Sequence, residues 1–422
     1  MKRTKAIPLA LALLASCDPG GSMNGPGQSD AAPGGADGGS TTTQGPSIGF
    51  DSQGCLNLVD HRTTTPLAPR GRLVVTYYDE TLEATLCEWD DESAEYWCPE
   101  PSAIAAGCEA FEGVYWCPNA SPPASRIGDP QEMGLLDLAH PELGVKRWTN
   151  NVVHEAEMDV SPDGARVVYA VRDYLDAFDN GKGQGIWVVN MDGSSPTRLT
   201  QGSNYAGIPA WIDNNRFTFV ADDGVSATAS NSGMYLFDLT TMKVTPFNIT
   251  GAAVYPADPD PSHDGKQVVF KADVNDQNAW DIYVMQIDGS GVRQLTSGYS
   301  DHDPVFSLDD KKVYFERYYG PGAWDQYADL DRSEHPEINQ WGIVEVDVAS
   351  GAERVIIPHD PCGRHFFWLP TVSPDGTQLM FIHDYVDASG GGYQDLWVSD
   401  VSGGNAQSVP GTRELYWFDW TR

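Results

Sequence analysis

The turn Ser161-Pro162-Asp163-Gly164 recurs unchanged at Ser373-Pro374-Asp375-Gly376. Ser262-His263-Asp264-Gly265 and Ser307-Leu308-Asp309-Asp310 are relatives, and Ile212-Asp213-Asn214-Asn215 is a degenerate fifth copy. Such a repeat constrains the fold more than any other feature, because repeated units bury their apolar faces by stacking on one another. Proline presets the first turn position and glycine accepts positive φ, so the chain reverses at each copy. A β-rich run follows each time: Arg166–Ala170, Arg216–Val220, Gln267–Lys271, Lys312–Glu316 and Gln378–Ile382. After a polar loop comes another: Ile186–Asn190, Met234–Asp238, Ile282–Gln286, Ile343–Asp347 and Leu396–Asp400. A second turn leads to a third run: Thr197–Thr200, Val244–Phe247, Val292–Thr296, Glu353–Ile357 and Gln407–Val409. With the strand before each turn, every unit has four antiparallel strands over about 45–65 residues, the pattern of a propeller blade.

Five such units occupy 154–410, and the two ends supply a sixth. Leu415–Trp420 reads as a first strand that then stops. Arg72–Thr76, Gly134–Leu138 and Val145–Thr149 read as second, third and fourth strands that lack a first. Joining them leaves no open edge at the seam. The expected fold is therefore all-β, a six-bladed β-propeller of four-stranded antiparallel blades, closed by pairing of the N- and C-terminal strands. The expected division is a leader over 1–16, a tether over 17–47, a pre-propeller segment over 48–70 and the propeller over 71–422. A cysteine-rich insert, 87–117, falls between the second and third strands of the composite blade.

The turns named above, Ile287-Asp288-Gly289-Ser290 and Arg293-Gln294-Leu295-Thr296 resemble the WD40-like propeller repeats of TolB. The resemblance runs over about 340 residues and implies a fold more than a function. The same repeat occurs in peptidase lids, lyases and surface proteins. TolB carries a separate α/β domain before its propeller, where this chain has a tether and a cysteine-rich insert, so the Tol–Pal partners of TolB are not carried over.

The N-terminus addresses location. Lys2, Arg3 and Lys5 precede a short apolar run, Ala6–Leu14, which is too short to span a bilayer. The run ends in Leu14-Ala15-Ser16-Cys17, which resembles the lipobox of bacterial lipoproteins. That implies lipidation of Cys17 and anchorage in the cell envelope, with the outer membrane as the first expectation and the inner membrane as the second. No later apolar run reaches the length of a membrane span. Residues 18–47 are rich in Gly, Ser, Pro and Ala and suit a flexible tether with a root-mean-square reach of roughly 30 Å. Gly45-Pro46-Ser47-Ile48-Gly49 matches a nucleophile elbow only as a string, since no strand precedes it and no helix follows.

The formal charge of −34 repels nucleic acid and anionic lipid surfaces. The expected partners are the membrane, through lipid, and an envelope protein or glycan, with the chain itself a monomer. Of seven cysteines, Cys17 goes to lipid. Cys87-Glu88…Tyr96-Trp97-Cys98-Pro99 and Cys108-Glu109…Tyr115-Trp116-Cys117-Pro118 echo each other. An exported chain with an even remainder suggests disulfides. Tandem pairing, Cys87–Cys98 and Cys108–Cys117, and nested pairing, Cys87–Cys117 around Cys98–Cys108, are both open. Cys55 and Cys362 are left for each other. The spacings lack the C-x-x-C knuckle of a zinc site.

Candidate chemistry gathers on the face formed by the loops from strand two to three and from strand four to the next strand one. Aligned on the repeated turn, Glu157, Asp258 and Asp303 are equivalent, with Asp301 close by. With oxygen ligands from several loops, these acids suit calcium, although none fits the regular calcium-loop spacing. No other cofactor is expected. Asp173 and Asp176 in one blade and Asp384 and Asp387 in another form a near-duplicated acidic rim. His154, His302, His359 and His365 are the imidazoles available for a transition metal. Trp187, Trp280, Trp324, Trp341, Trp397 and Trp417 suit either inter-blade packing or sugar stacking. No serine has the context of a Ser-His-Asp set. The composite reading is a membrane-anchored binding or scaffold module that presents an acidic propeller face without catalysis. The alternative is an envelope glycan lyase or hydrolase with its site at the channel mouth.

Overall fold

A computed structural model describes residues 48–58, 67, 69, 71–78, 88–90, 95–97, 109–111, 114–116, 131–149, 154–172, 185–200, 206–221, 233–247, 249, 254–273, 280–321, 335–386, 392–413 and 415–421. Six four-stranded antiparallel sheets form the blades of a propeller. Their inner strands are His154–Val160, Ala206–Asp213, Val254–Pro261, Ser300–Phe306, His365–Val372 and Leu415–Trp420, for blades 1 to 6 in order. Blade 6 is the composite one: Leu415–Trp420 pairs with Arg72–Tyr78, which pairs with Gln131–Asp137 and then Lys146–Arg147. Leu73 faces Trp420 and Val75 faces Phe418, all buried in one cluster with Met380, Ile382 and Leu396 of blade 5. The ring is closed by its two ends.

The repeated turn owes its sequence to a small hydrogen-bond motif. Ser161, Ser262, Ser307 and Ser373 each donate through Oγ to the Asp two residues on, at 2.7–2.9 Å. The same Oγ accepts the backbone N–H five residues on, at 2.9–3.0 Å. One hydroxyl thus satisfies the turn and starts the second strand.

Five inner strands are bulged at one equivalent place, where a non-glycine residue takes the left-handed conformation: Glu157, Ile208, Asp258, Asp303 and Leu369, with φ of 45–51°. Such a conformation costs of order 1 kcal/mol, and the bulges at Ile208, Asp303 and Leu369 each aim a backbone N–H at a carboxylate of the preceding blade. Ile208 N–H donates to Glu157 Oε2 at 2.9 Å and Leu369 N–H to Glu316 Oε2 at 2.9 Å. A second set of carboxylates lies two residues beyond the bulge. Asp419 accepts from Val160 N–H and Asp260 from Phe306 N–H, both at 2.7 Å, and Asp159 accepts from Trp211 N–H. Acids along the channel therefore hold blade to blade.

The pre-propeller segment forms a hairpin, Ile48–Phe50 paired with Leu56–Leu58. A disulfide, Cys55–Cys362, ties it to the loop entering blade 5 across a sequence separation of 307. Asp360, fully buried, binds both sides of this junction: it accepts from Leu56 N–H at 2.8 Å, Cys362 N–H and Arg364 N–H at 3.0 Å and His365 N–H at 3.2 Å. Leu56 completes the clasp by packing into the core between blades 4 and 5, against Ile343, Ile357 and Phe381.

Within the cysteine-rich insert, Glu88–Asp90 pairs with Glu95–Trp97, and Glu109–Phe111 with Val114–Trp116. The duplicated sequence is thus two hairpins, with the register Glu88↔Trp97 and Glu109↔Trp116. Cys87, Cys98, Cys108 and Cys117 themselves lie outside the described residues, as do residues 1–47 with Cys17.

Candidate functional site

The channel-side cluster lies on blades 3 and 4 and contains three of the four acids that the sequence nominates for calcium. Lys271, 2% exposed, pairs with Asp258 at 2.7 Å and sits 4.9 Å from the centre of the Trp280 ring. Burial alone would lower its pKa, but the carboxylates of Asp258 and Asp303 outweigh that and hold it raised. Arg317 chelates Asp301 through Nε and Nη2, at 2.7 and 2.8 Å, and also binds Glu353. Asp303 and Glu316 hydrogen-bond to each other. Burial, then the charges of Asp258 and Glu316, push Asp303 well up, and burial pushes Glu316 up to about 7. The two therefore share a proton at neutral pH. The cations beside these acids are Lys271 and Arg317, and among the described residues no three His, Cys, Asp or Glu side chains are arranged to hold a metal ion. Glu157 belongs to blade 1 and is bound to blade 2 instead.

A hydroxyl–imidazole pair sits in the same cluster. Ser300 Oγ lies 2.9 Å from His302 Nε2, and Lys271 Nζ lies 3.1 Å from His302 Nδ1. This is the outline of a nucleophile and its base, with a cation where an orienting carboxylate belongs. An ammonium only donates, so Nδ1 must accept and Nε2 must carry the proton. His302 consequently donates to Ser300 and cannot take its proton, the reverse of what a serine nucleophile needs. Burial, followed by the Lys271 charge, lowers the His302 pKa far below its usual range and keeps the ring neutral.

The open concavity lies elsewhere, on the side of blade 5 that faces blade 4. It is a cleft of about 880 Å³ between the hairpin clasp, blade 5 and the loop that leads to blade 6. Strand alternation builds its floor. His383 and Tyr385 on Gln378–Val386 face Asp395 and Tyr393 on Gly392–Asp400, and cross-strand partners share one side of the sheet. Asp395 accepts from His383 Nδ1 at 2.9 Å and from Trp397 Nε1 at 3.0 Å. His383 Nε2 then faces His365 Nδ1 at 2.9 Å. Asp395 accepts from His383 Nδ1, so in the arrangement where His383 Nε2 accepts in turn, His365 Nδ1 donates to it and His365 Nε2 is left as an acceptor on a ring that lines the cleft. Burial, then the neighbouring His383, pushes the His365 pKa down to about 4. Tyr385 and Tyr393 lie 5.3 Å apart, and the Arg413 guanidinium covers Tyr393 at 4.7 Å. Arg364 also lines the cleft.

Of the acidic rim, Asp384 is buried and accepts from Trp368 Nε1 at 2.7 Å, whereas Asp173, Asp176 and Asp387 lie outside the described residues. His359 stacks on Tyr319 at 4.3 Å. Trp341 and Trp397 are buried in the core, Trp187 and Trp417 pack at its margin, and Trp324 lies outside the described residues. The sequence reading named His365 and Trp397 but did not assemble the cleft. The available signal was the alternation His383-x-Tyr385 opposite Tyr393-x-Asp395-x-Trp397.

No known family profile matches the chain. Dipeptidyl-peptidase 5 of Porphyromonas gingivalis is 30% identical over 130 residues, 30% of this chain and 18% of that enzyme, so the match spans less than a fifth of the relative. The crystal structure of TolB from Acinetobacter baumannii aligns with a TM-score of 0.52 at 15% identity, covering 85% of this chain and 68% of that one. The likeness is one of fold: this chain is a TolB-like six-bladed β-propeller.

Proposed function

We propose that the protein is a non-catalytic binding module of the cell envelope, held to a membrane by lipid on Cys17, and that its ligand sits in the cleft between blade 5 and the hairpin clasp. The observation that carries this reading is the contrast between the two polar regions. In the channel the ionisable groups are committed to one another, as in Lys271–Asp258, Arg317–Asp301 and Asp303–Glu316. In the cleft, two tyrosines, an acceptor imidazole and two exposed arginines share one open surface, the mixture of apolar faces and a few polar groups that ligand sites use.

The geometry gives less support to a glycan hydrolase at the channel mouth. A pair of catalytic carboxyl groups stands about 5–9.5 Å apart to admit a sugar or a water. Asp303 and Glu316 instead touch each other. The test exposes the mature protein to fractionated envelope glycans and peptides, then analyses both the retained material and the supernatant by mass spectrometry. Retained, chemically unchanged ligand supports the reading; turnover products would sink it. Separately, Cys17→Ser should move the protein out of the membrane fraction or leave its precursor uncleaved, and unaltered processing and fractionation would remove the anchor from the account.

A further inference from the structure

We infer that the cleft is a recognition site for an acidic saccharide, in which Arg364 and Arg413 bind a sugar carboxylate, Tyr385 and Tyr393 carry the ring, and His365 accepts a hydroxyl proton. This rests on the cleft being the ligand site.

The charges that line the cleft are not equivalent. Its two acids are turned to internal work. Asp51 caps its own hairpin, accepting from Gln53 N–H at 2.8 Å and Cys55 N–H at 3.0 Å, and Asp395 holds His383 and Trp397. Its two arginines are exposed, and among the described residues neither guanidinium forms an ion pair. A guanidinium that has no carboxylate of its own offers a planar pair of donors that matches one supplied by a ligand.

The remaining lining selects what carries the carboxylate. Tyr393 is 38% exposed and its ring forms a tilted pair with Tyr385, an apolar platform the width of a sugar ring. The lining also includes short polar side chains suited to hydroxyls, Asn57 and Ser408. The acceptor on His365 is set by the proton order of the Asp395–His383–His365 chain and is supplied by a ring that stays neutral at ordinary pH.

The test is titration calorimetry of the mature protein with three probes: a hexuronic-acid oligosaccharide, the same oligosaccharide with its carboxyl groups reduced to primary alcohols, and a peptide with a free C-terminal carboxylate. Arg413→Gln and Arg364→Gln serve as variants, since both side chains are exposed. The expected result is binding of the uronic oligosaccharide, at least tenfold weaker after carboxyl reduction and at least tenfold weaker in each variant. Equal binding of the reduced sugar would overturn the role of the arginines. Binding of the peptide alone would overturn the saccharide and leave the cleft as a ligand site. Saccharide binding that ignores both variants and Tyr393→Ala would overturn the cleft itself.

Discussion

At the scale of single residues, carboxylates along the channel serve as structural acceptors. Glu157, Asp159, Asp260 and Asp419 each hold a backbone N–H of a neighbouring blade. Asp303 and Glu316, by contrast, are carboxyls shifted upward by burial. Both carboxyl pKa values are raised on folding, Glu316 to about 7, so the folded state binds a proton that the unfolded chain releases above about pH 4.5. Stability therefore falls as pH rises from about 4.5 through the raised folded-state range of the pair. Glu316→Gln keeps an acceptor for Leu369 N–H and needs no proton. It should stabilise the protein by about 1–3 kcal/mol at pH 8 and flatten the slope of Tm between pH 5 and 7.5. A variant whose Tm tracks the wild type across that range would show that the pair does not share a proton. His302 carries a similar lesson, because its role is decided by the ammonium of Lys271, a partner that no sequence spacing reveals.

At the scale of elements, the blades were legible and the clasp was not. The strands after each Ser-x-Asp turn lie where alternation and turn chemistry put them, because one hydroxyl and one carboxylate fix the turn locally. Four of the six outer strands are shorter than the sequence runs suggest, two residues each at Lys146–Arg147, Thr197–Arg198, Arg293–Gln294 and Gln407–Ser408, whereas Lys243–Pro246 and Glu353–Ile357 keep the expected length. The hairpin Ile48–Phe50/Leu56–Leu58 carries little apolar pattern of its own and is held by distant partners, Asp360 and Cys362, which short-range patterning cannot link to it. The cleft stayed hidden for the same reason, as its walls come from residues 51–58, 364–397 and 408–413. The pairing of Cys55 with Cys362, expected by elimination, is present. Replacing both with serine should lower stability by about 2–4 kcal/mol and weaken ligand binding in the cleft while leaving the blades intact by circular dichroism. Unchanged stability and affinity in the double variant would remove the clasp from the site.

At the scale of the whole molecule, the fold is a ring whose last strand completes its first sheet. Leu415–Trp420 is the inner strand of blade 6, and Trp420 and Phe418 are buried against blade 5 as well. Aromatic burial of that size contributes several kcal/mol, comparable to the net stability of a domain. Deleting residues 412–422 should unfold or aggregate the entire propeller, and a truncated protein with the parental Tm would show that the seam is dispensable. The TolB-like architecture is a likeness of fold alone, so the functional account depends on where ligand meets the ring. Hydrogen–deuterium exchange of the mature protein, with and without a hexuronic-acid oligosaccharide, tests that directly. The account predicts slower exchange at 51–58, 363–365, 393–397 and 408–413, with 254–261 and 300–306 unchanged. Protection confined to 254–261 and 300–306 would place the ligand in the channel and contradict it.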